Sequence, residues 1–331
     1  MIIMDKRRSG SLIKVIPVLA LVISIACGFS KPKYETEINR YERIPEHVLS
    51  HDLLNDFFPP VSNSSEWENP IPIKGYVNSP GAEDNPVILP DGETLYFFFT
   101  PDVTVAPEVQ VLDGVSGVWR SQMVLGQWEE ATRIRLSNDL SLDSAMVVLD
   151  DTMWFISARG GNYRPIDIYT ASKEDDQWKD WENVGKTLNE SYNVGEFWID
   201  DSQTEMIFHA EKEDGYGGLD LWKTYKIDDS WSLPQNLGPA VNSFENESHP
   251  FVSPDGEQLF ITGKSNLGYA GPAIYRSIKN NDSTWGKPEE IISNFAGDAS
   301  VDNYGNIYFT HHYFDEKGQM LEADIFVAYH K

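Results

Sequence analysis

The sequence predicts an all-β fold, a five-bladed β-propeller of four-stranded antiparallel blades whose last blade is closed by an N-terminal strand. Three observations predict it. Text recurs with a period of about 53 residues from residue 67 to the end. Short runs with strand character are separated by Pro-Asp-Gly or Asp/Asn turns. The opening segment WENPIPIKGYVNSP (67–80) matches WSLPQNLGPAVNSF (231–244), so it supplies the fourth strand that the last repeat lacks. Such a closure joins the chain ends and removes open sheet edges.

The elements follow in order. Lys6, Arg7, Arg8 and Lys14 precede an apolar run at 15–26 that ends in Ser24-Ile25-Ala26-Cys27. Residues 1–26 have the flanks and length of an export signal and not of a bilayer span. Small residues before a cysteine resemble the bacterial lipobox, which implies that Cys27 is lipidated and that the chain is exported and lipid-anchored in the cell envelope, periplasmic or at the surface. Residues 27–66 are polar apart from an apolar cluster at 48–58 and read as a tether, and 67–331 is the propeller.

Within the repeats, 86–89 is an apolar run, Pro90-Asp91-Gly92 a hairpin turn and 93–99 an aromatic second strand. The same text recurs as PFVSPDGEQLF at 250–260. Third strands open at Asp167-Ile168-Tyr169, Asp220-Leu221-Trp222, Ala273-Ile274-Tyr275 and Asp324-Ile325-Phe326. Polar turns such as KEDDQW then lead to outer strands marked by Trp67, Trp128, Trp178 or Trp181, Trp231 and Trp285. A tryptophan at the same place in each repeat reads as a wedge between blades.

Units with SPDG followed by LF, and FISARGGNYRPIDIY at 155–169, resemble the WD-repeat-like Pro-Asp-Gly β-propeller repeats of the TolB type. The resemblance covers 67–331 and is thinnest at 297–313, where DNYGNIYF replaces the Pro-Asp-Gly turn. It implies the propeller fold and an envelope-associated, often lipid-anchored protein. Such propellers serve as peptide and protein docking platforms, sugar-binding modules or hydrolase scaffolds, so no single activity follows.

Composition narrows the partners. With 26 basic against 52 acidic residues and a net charge of −26, the chain repels phosphate, which excludes nucleic acid and polybasic membrane docking and leaves the lipid anchor as the membrane contact. One cysteine forms no internal disulfide. P-loop, dinucleotide, HExxH and nucleophile-elbow motifs are absent from the sequence.

Propeller geometry places residues just before first strands and just after second strands on one mouth. The first set holds Glu83, Asp84, Asn85, Asp143, Glu196, Glu247, His249 and Asp298; the second holds Arg159, Lys212, Lys264, His311 and His312. One reading is a structural ring of ion pairs between blades. The other is a polar site, in which Asp143 and Glu196, with His249 beside them, act as the acid and base of glycoside hydrolysis. Tyr163, Tyr216 and Tyr269, spaced 53 apart in Gly-rich loops, either pack on the blade edge or stack on sugars and peptide side chains. The longer loop at 101–117 opens over the same rim and suits partner selection. Acidic loops or the channel offer oxygen ligands for Ca²⁺. The sequence therefore favours an envelope-anchored module that binds a protein, a peptide or a cell-surface glycan through its mouth. A glycoside hydrolase and an architectural subunit of an envelope complex are the alternatives.

Overall fold

A computed structural model describes residues 39–331. The export signal and Cys27 lie outside the described residues. The described chain is all-β, as expected, built from successive antiparallel sheets. Among the described residues no helix is long and apolar enough to cross a membrane.

One sheet runs in chain order through Leu142–Leu149, Thr152–Ala158, Asp167–Glu174 and Gln177–Asn183. The next contains Phe197–Ile199, Glu205–Ala210 and Asp220–Ile227, with Ser230–Trp231 and Gln235–Asn236 both pairing the last of these. A third holds Glu247–Val252, Gln258–Lys264, Pro272–Ile278 and Glu289–Ser293. The largest sheet joins two antiparallel runs, one beginning at Ala82–Ile88 and the other at Ala296–Val301, through a single parallel bridge between Ala82 and Ala323.

The turns follow their sequences. In Pro90-Asp91-Gly92 the glycine takes φ 72° and donates its N–H to Leu89 O at 2.9 Å, while Asp91 Oδ1 accepts the N–H groups of Glu93 and Thr94. Gly256 repeats this with φ 76° and a 2.8 Å bond to Ser253 O. Where the motif is missing, Gly305 (φ 81°) closes on Asp302 O, and the Asp302 carboxylate accepts the N–H groups of Tyr304 and Asn306 at 2.9 Å. The geometry is kept by an aspartate and a glycine three positions apart instead of adjacent.

The two ends of the repeat region meet as the repeat text implies. Ile71 and Pro72 pair with Val327 and Phe326, and Ile73 and Val77 share a core with Leu95, Phe97, Trp119, Trp128, Tyr308, Ile325 and Val327. Four outer tryptophans are buried at 2–8 % exposure (Trp67, Trp128, Trp178 and Trp285), which assigns the second repeat's wedge to Trp178. Trp231 is only half-buried. At Gly75 (φ 121°) a Cβ would stand 2.2 Å from Trp128 O, a backbone atom that cannot give way. Gly75→Ala is therefore expected to cost more than about 1 kcal/mol in a denaturant titration; a neutral result would mean that this strand pair is loosely docked.

The segment 27–66 departs from the tether reading over its described part. Arg40 is buried against Glu83 at 2.5 Å. His51 bonds Glu322 Oε2 through its backbone N–H and Nδ1, Asp56 pairs with His311 at 2.8 Å, and Val61–Ser62 adds a strand beside Glu289–Ser293. Each partner is hundreds of positions distant except Glu83, so these contacts exist only once the chain ends have met.

Candidate functional site

Backbone irregularity builds the site. Four first strands shift register by one residue, between Asp84 and Val87, Ser144 and Val147, Ser248 and Phe251, and Gly297 and Ser300. At each shift a non-glycine residue takes the left-handed conformation: Asn85 (φ 51°), Ala145 (φ 42°), His249 (φ 49°) and Asp298 (φ 56°). A β-bulge of this kind turns one side chain out of the alternation of its strand. Glu196 stands at the same level in the remaining sheet, where Gly195 and Glu196 together oppose His209: the Gly195 N–H donates to His209 O at 3.0 Å and the His209 N–H donates to Glu196 O at 3.1 Å. These five residues and the two that follow each of them line one central cavity of about 470 Å³, its open mouth included.

The second strands brace this ring from one sheet to the next. Thr262 Oγ1 accepts the Asp298 N–H at 2.9 Å, and Thr310 Oγ1 accepts the Asn85 N–H at 3.0 Å, so within the largest sheet the last run holds the first. His209 takes the corresponding place beside the His249 N–H. Phe98 and Ile156, at the same level, have no acceptor to offer.

Chemistry concentrates on one side of the cavity. His249 Nε2 contacts Glu196 Oε2 and lies 2.9 Å from Asp298 Oδ1. Asp84 Oδ1 lies 3.9 Å from His312 Nε2 and accepts the Asn85 N–H at 2.8 Å. Burial by itself pulls the His249 imidazole down, but the Asp298 and Glu196 carboxylates outweigh it and hold the group well above the ordinary histidine range. Conversely, burial pushes Glu196 and Asp298 up, and the His249 charge brings both below the usual carboxylate range. Asp84 is raised by burial and by Asp298. Burial, reinforced by His249, carries His209 down to about 4 despite the nearby carboxylates, so it is neutral at pH 7. The cavity thus sets a protonated imidazole between two ionised carboxylates, with a reluctant acid and a neutral imidazole beside them.

The expected acid–base pair is not assembled. Asp143 is buried and bound by Arg159 Nη2 at 2.6 Å, with Ser157 and Ser141 hydroxyls donating to the same carboxylate. The hairpin explains the difference: Val147 pairs with Trp154 seven positions on, whereas Phe251 pairs with Phe260 nine positions on, so this shorter turn puts Ala145 at the cavity-facing position, two residues past the aspartate that the 53-residue spacing aligns with Glu196 and His249. Arg159 lies over the Tyr169 ring at 4.4 Å and is committed to that ion pair. His311 is also removed from the mouth, buried between Asp56 and Asn294 O. Lys264 pairs with Glu245 at 2.6 Å, and Lys212 lies 5.5 Å from the Trp222 ring with its pKa lowered by burial. Glu196, His249, Asp298 and Asn85 do line the cavity, and Asp84 reaches the same cluster. His209 escaped the sequence reading because MIFHA looks like any alternating strand.

The repeated tyrosines face solvent. Tyr163, Tyr216 and Tyr269 are 52 %, 50 % and 39 % exposed. Their loops are tied down from beneath: Asp167 accepts the Tyr163 N–H at 2.7 Å, Asp220 accepts the Tyr216 N–H at 2.6 Å, and Glu290 accepts the N–H groups of Asn266 and Leu267 ahead of Tyr269. The long loop of the first repeat contains the short helix Pro107–Gln110 and exposes Val109 and Leu112.

No family model matches the chain, and no curated protein matches it. Among solved structures, the chain is similar to TolB from Acinetobacter baumannii at 11% identity over 77% of this chain and 56% of that one, with a TM-score of 0.40, so it spans little more than half of TolB. It is similar to a thermostable family-43 glycoside hydrolase at 13% identity over 81% of this chain and 91% of that one, with a TM-score of 0.46. A xylan β-1,4-xylosidase from Bacillus halodurans C-125 aligns at 11% identity over 80% of this chain and 53% of that one, with a TM-score of 0.43.

Proposed function

We propose that this chain is an exported, lipid-anchored five-bladed β-propeller that binds an envelope protein or peptide, or a surface glycan, at its loop-rich mouth. The observation that carries this reading is the set of three exposed tyrosines at equivalent loop positions, each loop fastened by a buried carboxylate from the strand layer beneath. An aromatic ring held rigid before binding loses little conformational entropy on contact, which is what makes tyrosine effective at recognition surfaces. Had these rings served only to cover blade edges, they would be buried.

Hydrolysis is less well supported. Asp143 is consumed by Arg159 and Glu196 is engaged by His249, so neither carboxyl is free to exchange protons with a substrate. The five blades correspond to the sheets that supply the five cavity-lining strands, the first and last of them merged by the Ala82 to Ala323 bridge.

The test is site-specific photo-crosslinking in intact cells from positions 163, 216 and 269, with the fully exposed turn residue Leu125 as control. Rim positions are expected to give one shared product and Leu125 none. The triple Tyr→Ala variant should weaken capture at least about tenfold while its stability stays within about 0.5 kcal/mol per site of the parent. Capture that is equal from Leu125, or unchanged in the triple variant, would leave a purely architectural role.

A further inference from the structure

The central cavity holds a mixed nitrogen and oxygen donor set that the mouth-binding reading does not use. Two overlapping groups share Asp298: Glu196, His249 and Asp298 form one, and Asp84, Asp298 and His312 the other. Within each group the donor atoms lie within 4.8 Å of one another. We infer that Glu196, His249 and Asp298 bind one divalent transition-metal ion of the Zn²⁺ or Mn²⁺ class, with Asp84 and His312 flanking it.

Four features carry this. First, the three donors come from three sheets and meet because each stands at the cavity-facing level of its first strand, two of them on left-handed backbone. Second, the His249 ring is already oriented for metal binding: its Nδ1 is 2.9 Å from Ser248 Oγ, which leaves Nε2 directed at the carboxylates. Metal-bound histidines commonly use their second nitrogen in this way, and that partner sets the tautomer and the ring plane. Third, the Glu196, Asp298 and Asp84 carboxylates converge on one confined space, where a divalent ion supplies the positive charge that draws such groups together. Fourth, the donor chemistry discriminates between ions. Ca²⁺ takes six to eight oxygens, whereas an imidazole nitrogen with carboxylates suits Zn²⁺, Mn²⁺, Fe²⁺ or Co²⁺. The expectation of Ca²⁺ is thereby replaced by a borderline metal.

This site stands apart from the rim tyrosines, so its test reads metal alone. Untagged protein is stripped with chelator and titrated calorimetrically with Zn²⁺, Mn²⁺, Co²⁺ and Ca²⁺ in separate experiments. One equivalent of Zn²⁺ or Co²⁺ is expected to bind, and His249→Gln and Asp298→Asn should each weaken it by at least about tenfold. Because a cavity variant can fail to fold, the parent Co²⁺ protein supplies an independent reading: a paramagnetically shifted imidazole N–H resonance that requires histidine coordination. Folded, chelator-treated protein that takes up none of the three transition metals overturns the assignment. So does Ca²⁺ binding without Zn²⁺ or Co²⁺ binding, an affinity unchanged in His249→Gln, or a Co²⁺ protein lacking the shifted resonance.

Discussion

Arg40→Ala is expected to destabilise the fold by about 3–5 kcal/mol, the usual cost of removing one partner from a buried ion pair. Arg40 and Glu83 are 2 % and 0 % exposed. The guanidinium also donates to Tyr76 O and Val77 O, and it lies 5.0–5.5 Å from the Phe97 and Phe99 rings. Its loss strands two carbonyls and a carboxylate inside the core. Burial already pushes Glu83 up to about 7, against the opposing pull of Arg40 and Ser79. Without Arg40 that carboxyl rises further.

The sign of the pH effect follows from the direction of this shift. Unfolded, Glu83 ionises near its ordinary pKa of 4.5. A raised folded value means that the native state holds its proton longer, so the electrostatic penalty is absent below the unfolded pKa and grows as pH rises through the folded one. Urea titrations of the variant should show a larger loss at pH 8 than at pH 5, and Glu83→Gln in the same background should return part of it at pH 8. A cost under about 1 kcal/mol at pH 8 would mean that residues 39–59 are a removable strap.

Asp143→Ala is the second large effect, again about 3–5 kcal/mol, because it leaves the Arg159 guanidinium unpaired at 9 % side-chain exposure. Ser157 Oγ and Ser141 Oγ lose their acceptor in the same step. This outcome separates two roles for one aspartate. A residue poised for catalysis can be replaced with little change in stability, whereas one that locks a second strand to a first cannot. Asp143→Ala with Arg159→Met should recover part of the loss, since the double change removes both charges and keeps most of the aliphatic bulk. A single variant that melts like the parent would return Asp143 to consideration as a free carboxylate. Equilibrium denaturation with near-UV circular dichroism reads both variants.

Much of the architecture was legible because it is written locally and then repeated. A Pro-Asp-Gly turn, an Asp opening three of the four third strands and a tryptophan marking the outer strands act through neighbours a few residues away, and recurrence at about 53 residues multiplies a weak signal. The pairing of Ile71–Pro72 with Met320–Ala328 was legible for the same reason, since the opening segment repeats the text of a fourth strand. Part of the site was legible too: the repeat spacing put Glu196, His249 and Asp298 at the starts of first strands, and all three line the cavity.

The remainder was not encoded at that range. The hairpin after Val147 is two residues shorter than the one after Phe251, so a spacing that aligns the second strands matches Asp143 with Glu196 and His249 while Ala145 takes the cavity position. Likewise, nothing in a polar stretch of 27 to 66 announces that His51 will meet Glu322 or that Asp56 will meet His311, because those partners come within reach only when the last sheet closes on the first. The sequence alone determined an all-β repeat array, its turns, its wedges and the joining of its ends, since each depends on contacts within a repeat or on identity between repeats. Which carboxylates face the cavity and which are spent on ion pairs was settled in three dimensions, because hairpin length and the left-handed residue at each bulge select the side chain that points inward.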